Sequence, residues 1–176
     1  MTILRILARH VLGPPPPGRA SSPETVAMLS ARLQDAAGRR LGRSLAIRHV
    51  AAGSCNACEL ELRATRNLIH DLTQYGLDFT PSPRHADVLL ITGVAGRNMR
   101  EAVLQTREAM PDPVLVVAIG DCAADGGVFK GSPGIAGGAD SILPVDLLIP
   151  GCPPPPWRIV EGLLALIEAH GRTPPP

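Results

Sequence analysis

Four short, largely apolar stretches, at 45–50, 87–92, 114–119 and 145–149, each reach a glycine within about three residues, and helix-length segments separate most of them. Short, largely apolar stretches without strict alternation are the mark of strands buried on both faces, which in practice means a parallel sheet covered by helices. We read these runs as strands and expect helices at roughly 58–75, 97–109 and 157–169, giving strand, loop and helix in alternation from Ser44 onward. Pro83 and Pro113 fall in the connections. Pro153 to Pro156 precede the last expected helix, where proline is tolerated. The expected fold is α/β, a parallel sheet flanked by helices. Apolar residues make up 45% of the chain but aromatics only 2%, so its core is built from Ala, Val, Leu and Ile.

The chain has 176 residues, enough for one domain with a real core but thin for two. We expect an N-terminal arm at 1–43, a principal domain at 44–170 and a tail at 171–176. Within the arm, Ile3, Leu4, Ile6, Leu7, Val11 and Leu12 beside Arg5, Arg9 and His10 suggest a short basic amphipathic helix, suited to a partner or a membrane surface. Pro14 to Pro17, with Gly18 and Ser21-Ser22-Pro23, form an extended linker. A second helix is expected from Pro23 to about Gly38, with Val26, Leu29 and Leu33 on one stripe.

Net charge is +1, and no run of five like charges occurs, so the chain carries no electrostatic footprint for nucleic acid. No stretch of 18 apolar residues and no secretory signal is present, so the expected location is the cytosol, or a membrane reached through partners. Four cysteines in such a setting are expected to be ligands or redox groups rather than a disulfide frame.

Cys55, Cys122 and Cys152 each follow an expected strand, and Cys58 lies one turn after Cys55. Loops after the carboxyl ends of parallel strands share one edge of the sheet, so four thiols distant in sequence can converge there. Glycines accompany each of these motifs, as Gly53-Ser54-Cys55, Gly120-Asp121-Cys122 with Gly126-Gly127, and Gly151-Cys152-Pro153. They let the backbone approach a bulky group and free N–H donors for sulfur. An iron–sulfur cubane needs four thiolates and such donors. Zinc on four thiolates remains an alternative, although zinc ribbons favour two C-x-x-C pairs. A dithiol at Cys55 and Cys58 is a third reading, which leaves Cys122 and Cys152 without a task.

Gly53-Ser54-Cys55-Asn56-Ala57-Cys58-Glu59-Leu60-Glu61, Ser82-Pro83-Arg84-His85-Ala86-Asp87, Gly120-Asp121-Cys122 with Gly126-Gly127-Val128-Phe129, and 145–154 resemble a known family. They look like the small subunits of complex I-like, membrane-bound [NiFe] hydrogenases of the formate hydrogenlyase type. The same superfamily includes the 20 kDa, or B, subunit of NADH:quinone oxidoreductase. The resemblance covers about residues 45–169. It implies a flavodoxin-like fold, one [4Fe-4S] cluster on Cys55, Cys58, Cys122 and Cys152, and an electron relay to the active site of a large catalytic subunit. Further implied partners are a ferredoxin-like Fe–S subunit and membrane subunits, with the chain peripheral on the cytoplasmic side of the inner membrane.

In that family, quinone-reducing B subunits carry two adjacent cysteines where hydrogenase small subunits have C-x-x-C, and Cys55-Asn56-Ala57-Cys58 matches the latter. A B-type role passing electrons to quinone stands as the alternative. No cysteine follows Cys152, so the additional clusters of large uptake hydrogenases are not expected. Glu59 and Glu61 flank Leu60 directly after the second cysteine, and Glu61 corresponds by motif to the family's acidic residue, a candidate proton relay. The competing reading is a carboxylate stabilised by a helix N-terminus. Arg84, His85 and Asp87, like Arg97 and Arg100, read as a solvated loop or a partner contact. His49 reads as a satisfied core or edge histidine rather than a ligand. Gly93-x-x-Gly96 alone does not argue for nucleotide binding.

Overall fold

The computed structural model describes residues 43–67 and 71–170, together with positions 28, 31, 32, 35, 36 and 38. Strands β1 (Leu45–Ala51), β2 (Leu77–Phe79), β3 (Val88–Thr92), β4 (Leu115–Ile119) and β5 (Leu147–Ile149) form one sheet in the order β2-β1-β3-β4-β5. Every pairing is parallel. Order 2-1-3-4-5 with crossover connections is the flavodoxin-like arrangement, whose switch point lies between β1 and β3.

All five residues of β3 are buried, and successive side chains face opposite sides of the sheet. Val88 and Leu90 pack into one core with Ile47, Val117, Ile119 and Ile149. Leu89 and Ile91 pack into a second core with Val116, Ala118 and Val103. A strand with two covered faces has no place for alternating polar residues, which is why 88–91 reads as an unbroken apolar run ended by Thr92.

Helices α1 (Ala57–Ala64) and α4 (Pro156–His170) cover the first face. Helix α2 (Arg100–Glu108) covers the second through Val103, and the five-residue α3 (Asp121–Asp125) adds Ala123 there. Helix α4 begins at Pro156, where a missing N–H costs nothing. Its stripe of Ile159, Val160, Leu163, Leu164, Leu166 and Ile167 is buried against the sheet. Burying Leu163 alone stabilises by about 1.5–3 kcal/mol. Gly162 sits so close to β5 that a Cβ there would lie 2.7 Å from Ile149 Cδ1.

The structure corrects two expectations. First, the helix expected over 58–75 stops at Ala64. The Thr65 hydroxyl turns back to donate to Leu62 O at 2.6 Å. A separate 3₁₀ turn then spans Leu72–Tyr75, opened by the Asp71 side chain accepting from Thr73 N and closed by Gly76 in the left-handed region. Second, Leu77–Phe79 is a strand, β2, at the sheet edge.

The expected amphipathic segment 1–12, the 14–23 linker and the tail 171–176 lie outside the described residues. Positions 28, 31, 32, 35, 36 and 38 of the expected second helix are helical. Ala36 joins the first core, and Arg32 pairs with Glu168 at 2.8 Å on the exposed surface, a contact worth well under about 1 kcal/mol.

Candidate metal centre

Parallel strands deliver their following loops to one edge, and three of these loops carry the cysteines. Cys55 lies after β1, Cys58 in the first turn of α1, Cys122 in α3 after β4, and Cys152 in the turn after β5. Cys58 and Cys122 are buried while Cys55 and Cys152 are exposed, and all four are free thiols. The thiols sense one another: Cys122, Cys55 and Cys152 each oppose ionisation of Cys58.

Backbone bonds hold these loops in register. Gly120 N–H donates to Ile149 O at 2.8 Å and Asp121 N–H to Gly151 O at 2.9 Å. Gly151 N–H in turn donates to Asp121 Oδ1 at 2.8 Å. On the other side, Ala52 N–H reaches Thr92 O at 2.9 Å, Val94 N–H reaches Gly53 O at 3.0 Å and Gly96 N–H reaches Ala52 O at 3.1 Å. The Gly93-to-Gly96 segment therefore braces the first cysteine loop, which fills the β1/β3 switch point.

Two glycines admit the sulfurs. Gly120 has φ +92°, and a Cβ there would lie 2.7 Å from Cys58 Sγ. Gly127 has φ +50°, and its Cβ would lie 3.0 Å from Cys122 Sγ. The Val128 N–H after it is directed to the Cys122 sulfur, the kind of donor a metal-bound thiolate needs.

Burial, then the charge of Glu59, then the neighbouring cysteines push the Cys58 thiol up to about 12. Burial likewise raises Cys122, with Cys152 and Cys55 adding to it. Unmetallated, Cys58 stays protonated at neutral pH, and a bound cation is what stabilises its thiolate. Four thiols in this setting fit a positively charged metal group. Among the described residues, no three or more His, Cys, Asp or Glu side chains are disposed to hold a single metal ion.

Beside the thiols runs a polar chain that sequence reasoning missed. The Thr92 hydroxyl donates to Glu59 Oε1, and His49 Nε2 lies 2.9 Å from Thr92 Oγ1. With its proton given to Glu59, the hydroxyl accepts from His49, which sets the imidazole tautomer. Burial alone would raise the Glu59 carboxyl, but the Thr92 and Ser54 hydroxyls outweigh it and hold the group below its ordinary value. His49 is lowered by burial, with Glu59 opposing and Arg48 and Arg63 adding to the effect.

Glu61 is half-buried and sits about 200° around α1 from Glu59, away from this chain of bonds. Arg84 and His85 are exposed in a 3₁₀ turn, Pro83–His85, and Arg97 and Arg100 are exposed near the start of α2. Asp87 departs from the solvated-loop expectation: it accepts from Arg43 Nη1 at 2.9 Å and from Ala46 N–H at 3.0 Å, tying β3 to the start of β1.

The chain is thus an open parallel α/β domain that brings four cysteines to the carboxyl edge of its sheet. Residues 55–166 match the family model for the NADH ubiquinone oxidoreductase 20 kDa subunit, and the chain belongs to that family. The family is one of iron–sulfur proteins, and the chain is an electron-transfer subunit of an oxidoreductase complex.

Among its relatives is formate hydrogenlyase subunit 7 of Escherichia coli, 38% identical over 94% of this chain and 67% of that protein. A probable membrane-bound hydrogenase subunit of Pyrococcus furiosus is 42% identical over 73% of this chain and 77% of its own length. The B subunit of NADH-quinone oxidoreductase from Geotalea uraniireducens is 40% identical over 65% of this chain and 67% of that protein. Among solved structures, a chain of the membrane-bound sulfane sulfur reductase, an archaeal respiratory membrane complex, superposes with TM-score 0.63 at 30% identity, covering 81% of this chain and 74% of that one. An NAD+-reducing [NiFe]-hydrogenase chain shares the fold, with TM-score 0.55 at 20% identity over 70% of this chain and 92% of that one.

Proposed function

We propose that this chain holds one [4Fe-4S] cluster on Cys55, Cys58, Cys122 and Cys152. Through it the chain relays electrons to or from the active site of a large subunit in a membrane-associated, hydrogenase-like oxidoreductase. The observation that carries the reading is the delivery of four cysteines, from three loops, to one edge of the sheet. Bound there, the cluster supplies one-electron oxidation and reduction. Buried Cys58 and Cys122 anchor it from the sheet side, Val128 N–H donates toward sulfur, and exposed Cys55 and Cys152 leave the outer side open to a partner. One C-x-x-C pair with two single cysteines, rather than two such pairs, favours a cluster over structural zinc.

The hydrogenase branch is supported by the C-x-x-C spacing at Cys55 and Cys58 and by the relatives from Escherichia coli and Pyrococcus furiosus. The partners are then a large catalytic subunit, a ferredoxin-like Fe–S subunit and membrane subunits, with this chain peripheral on the cytoplasmic side. Among the described residues no helix is long and apolar enough to cross a membrane. Similarity to the B subunit of NADH-quinone oxidoreductase supports the second reading, electron delivery to quinone. A quinone-site inhibitor that stops electron flow through the intact complex would select it. Glu61 is assigned as a proton relay near the cluster, and an unchanged turnover pH profile in Glu61→Gln complex would remove that role.

The direct test is iron, sulfide and zinc analysis of anaerobically prepared protein with EPR after reduction. The reading expects about four irons, about four sulfides and a spin-half signal per chain. It also expects Cys152→Ser to lose most of them. Zinc without sulfide would overturn it.

A further inference from the structure

A cavity of about 430 Å³ opens between α1 and the β1/β2 edge of the sheet, and Glu59, the residue after Cys58, lines it. Its floor is apolar, formed in part by Leu62 and Phe79, and its rim carries Arg48, Arg63 and Arg66. Among the described residues none of these arginines meets a carboxylate in an ion pair. Arg66 instead lies over the Phe79 ring at 5.6 Å. Against three cations stands the one carboxylate of Glu59.

Two polar atoms in this wall are buried without a hydrogen-bond partner, Arg48 Nε and Glu59 Oε2. Glu59 is only 8% exposed, and its Oε2 has no partner at bonding distance. Buried polar groups are nearly always satisfied, so the wall calls for an acceptor at Arg48 and a donor at Glu59. Phosphate offers acceptors only and would leave Glu59 Oε2 without a donor. An acidic peptide residue offers both, its carboxylate to the arginines and its own N–H to the glutamate. The apolar floor takes a neighbouring side chain.

We infer that this cavity receives an Asp or Glu borne on an apolar segment of a partner protein of the complex, bound by Arg48 and Arg63 through its carboxylate and by Glu59 Oε2 through its backbone N–H. The site deepens the proposed function and rests on it, because it fixes a partner beside the cysteine edge. It uses Arg48 and Arg63 for recognition rather than for the redox centre, in the way charge complementarity sets register between subunits.

The experiment places the photo-crosslinker benzoylphenylalanine at Thr80, which lines the cavity, in the purified complex. Mass spectrometry then identifies the attached group. The expected product joins this chain to a partner segment with Asp or Glu within a few residues of the cross-link. Arg63→Glu, an exposed change on α1, is expected to lower its yield about tenfold, and Arg63→Ala by less. Attachment to a lipid or a small molecule, attachment to a segment without an acid, absence of a cross-link, or full yield in Arg63→Glu overturns the inference. Iron content and the EPR signal of the same preparation report on the cluster separately. A missing cross-link with full iron faults the cavity assignment alone, and missing iron faults the cluster reading.

Discussion

Asp121 and Gly151 are joined twice: Asp121 N–H donates to Gly151 O at 2.9 Å, and Gly151 N–H donates to Asp121 Oδ1 at 2.8 Å. Each residue is the immediate neighbour of a cysteine, Cys122 and Cys152, which come from different strands. The pair thus sets the spacing of two thiols that the chain separates by thirty residues. Asp121→Ala removes the side-chain half of the clasp, at a stability cost of about 1 kcal/mol. The larger effect falls on the centre: iron retained through aerobic desalting should drop well below wild type, while Asp121→Asn, which keeps the acceptor oxygen, should recover most of it. Equal iron in all three proteins would show that the clasp does not govern the centre.

Gly120 makes a sharper case because conformation and space act together there. Its φ of +92° is strained for any residue with a Cβ, and that Cβ would lie 2.7 Å from Cys58 Sγ. Gly120→Ala should cost about 1–3 kcal/mol and displace the sulfur. Far-UV circular dichroism is expected to remain that of the folded chain while iron content collapses. A variant that binds iron normally would mean the Cys58 sulfur has another rotamer available to it.

In iron-free protein the cysteines should separate by reactivity. Alkylation requires the thiolate, and a thiol pushed up to about 12 exposes only about one thiolate in ten thousand at pH 8. Cys55 and Cys152 are exposed; Cys58 and Cys122 are buried and raised. Peptide mapping after brief iodoacetamide treatment is expected to find carbamidomethyl first on Cys55 and Cys152 and last on Cys58. Labelling of Cys58 as fast as Cys55 would contradict this difference in burial and pKa.

What the sequence disclosed follows from which forces leave a local trace. Strand β3 was legible because burial on both faces demands an apolar residue at every position from Val88 to Thr92, save the last. Strand β2 was not, since three residues, Leu77, Asp78 and Phe79, show no periodicity and owe their state to pairing with Leu45, Ala46 and Ile47. The expected 58–75 helix is divided, because the Asp71 side chain caps a new turn that begins at Leu72. The cysteines stood out through residue type and the glycines beside them. The Glu59 to Thr92 bond spans 33 residues and joins common residue types, so nothing local announces it. The arginine-rimmed cavity has the same origin, assembled from β1, α1 and the segment after β2.

His49 gives the fold a predictable response to acid. Burial lowers its pKa from the ordinary 6.5, Glu59 opposes this, and Arg48 and Arg63 reinforce it. The folded state therefore keeps the imidazole neutral at a pH where the unfolded chain has begun to bind a proton. Its contribution to stability is fully present above pH 6.5 and declines as pH falls below that value toward the lowered folded pKa. For one proton the slope is at most about 1.4 kcal/mol per pH unit. Glu59, also lowered, adds a second loss only at more acidic pH, below the ordinary carboxylate range. Thermal unfolding of the iron-free chain should give a melting temperature that falls between pH 7 and pH 5.5. In His49→Gln, which retains an N–H donor toward Thr92, that fall should be smaller, while the two proteins respond alike above pH 7. Identical slopes in wild type and variant would assign the acid response to other groups.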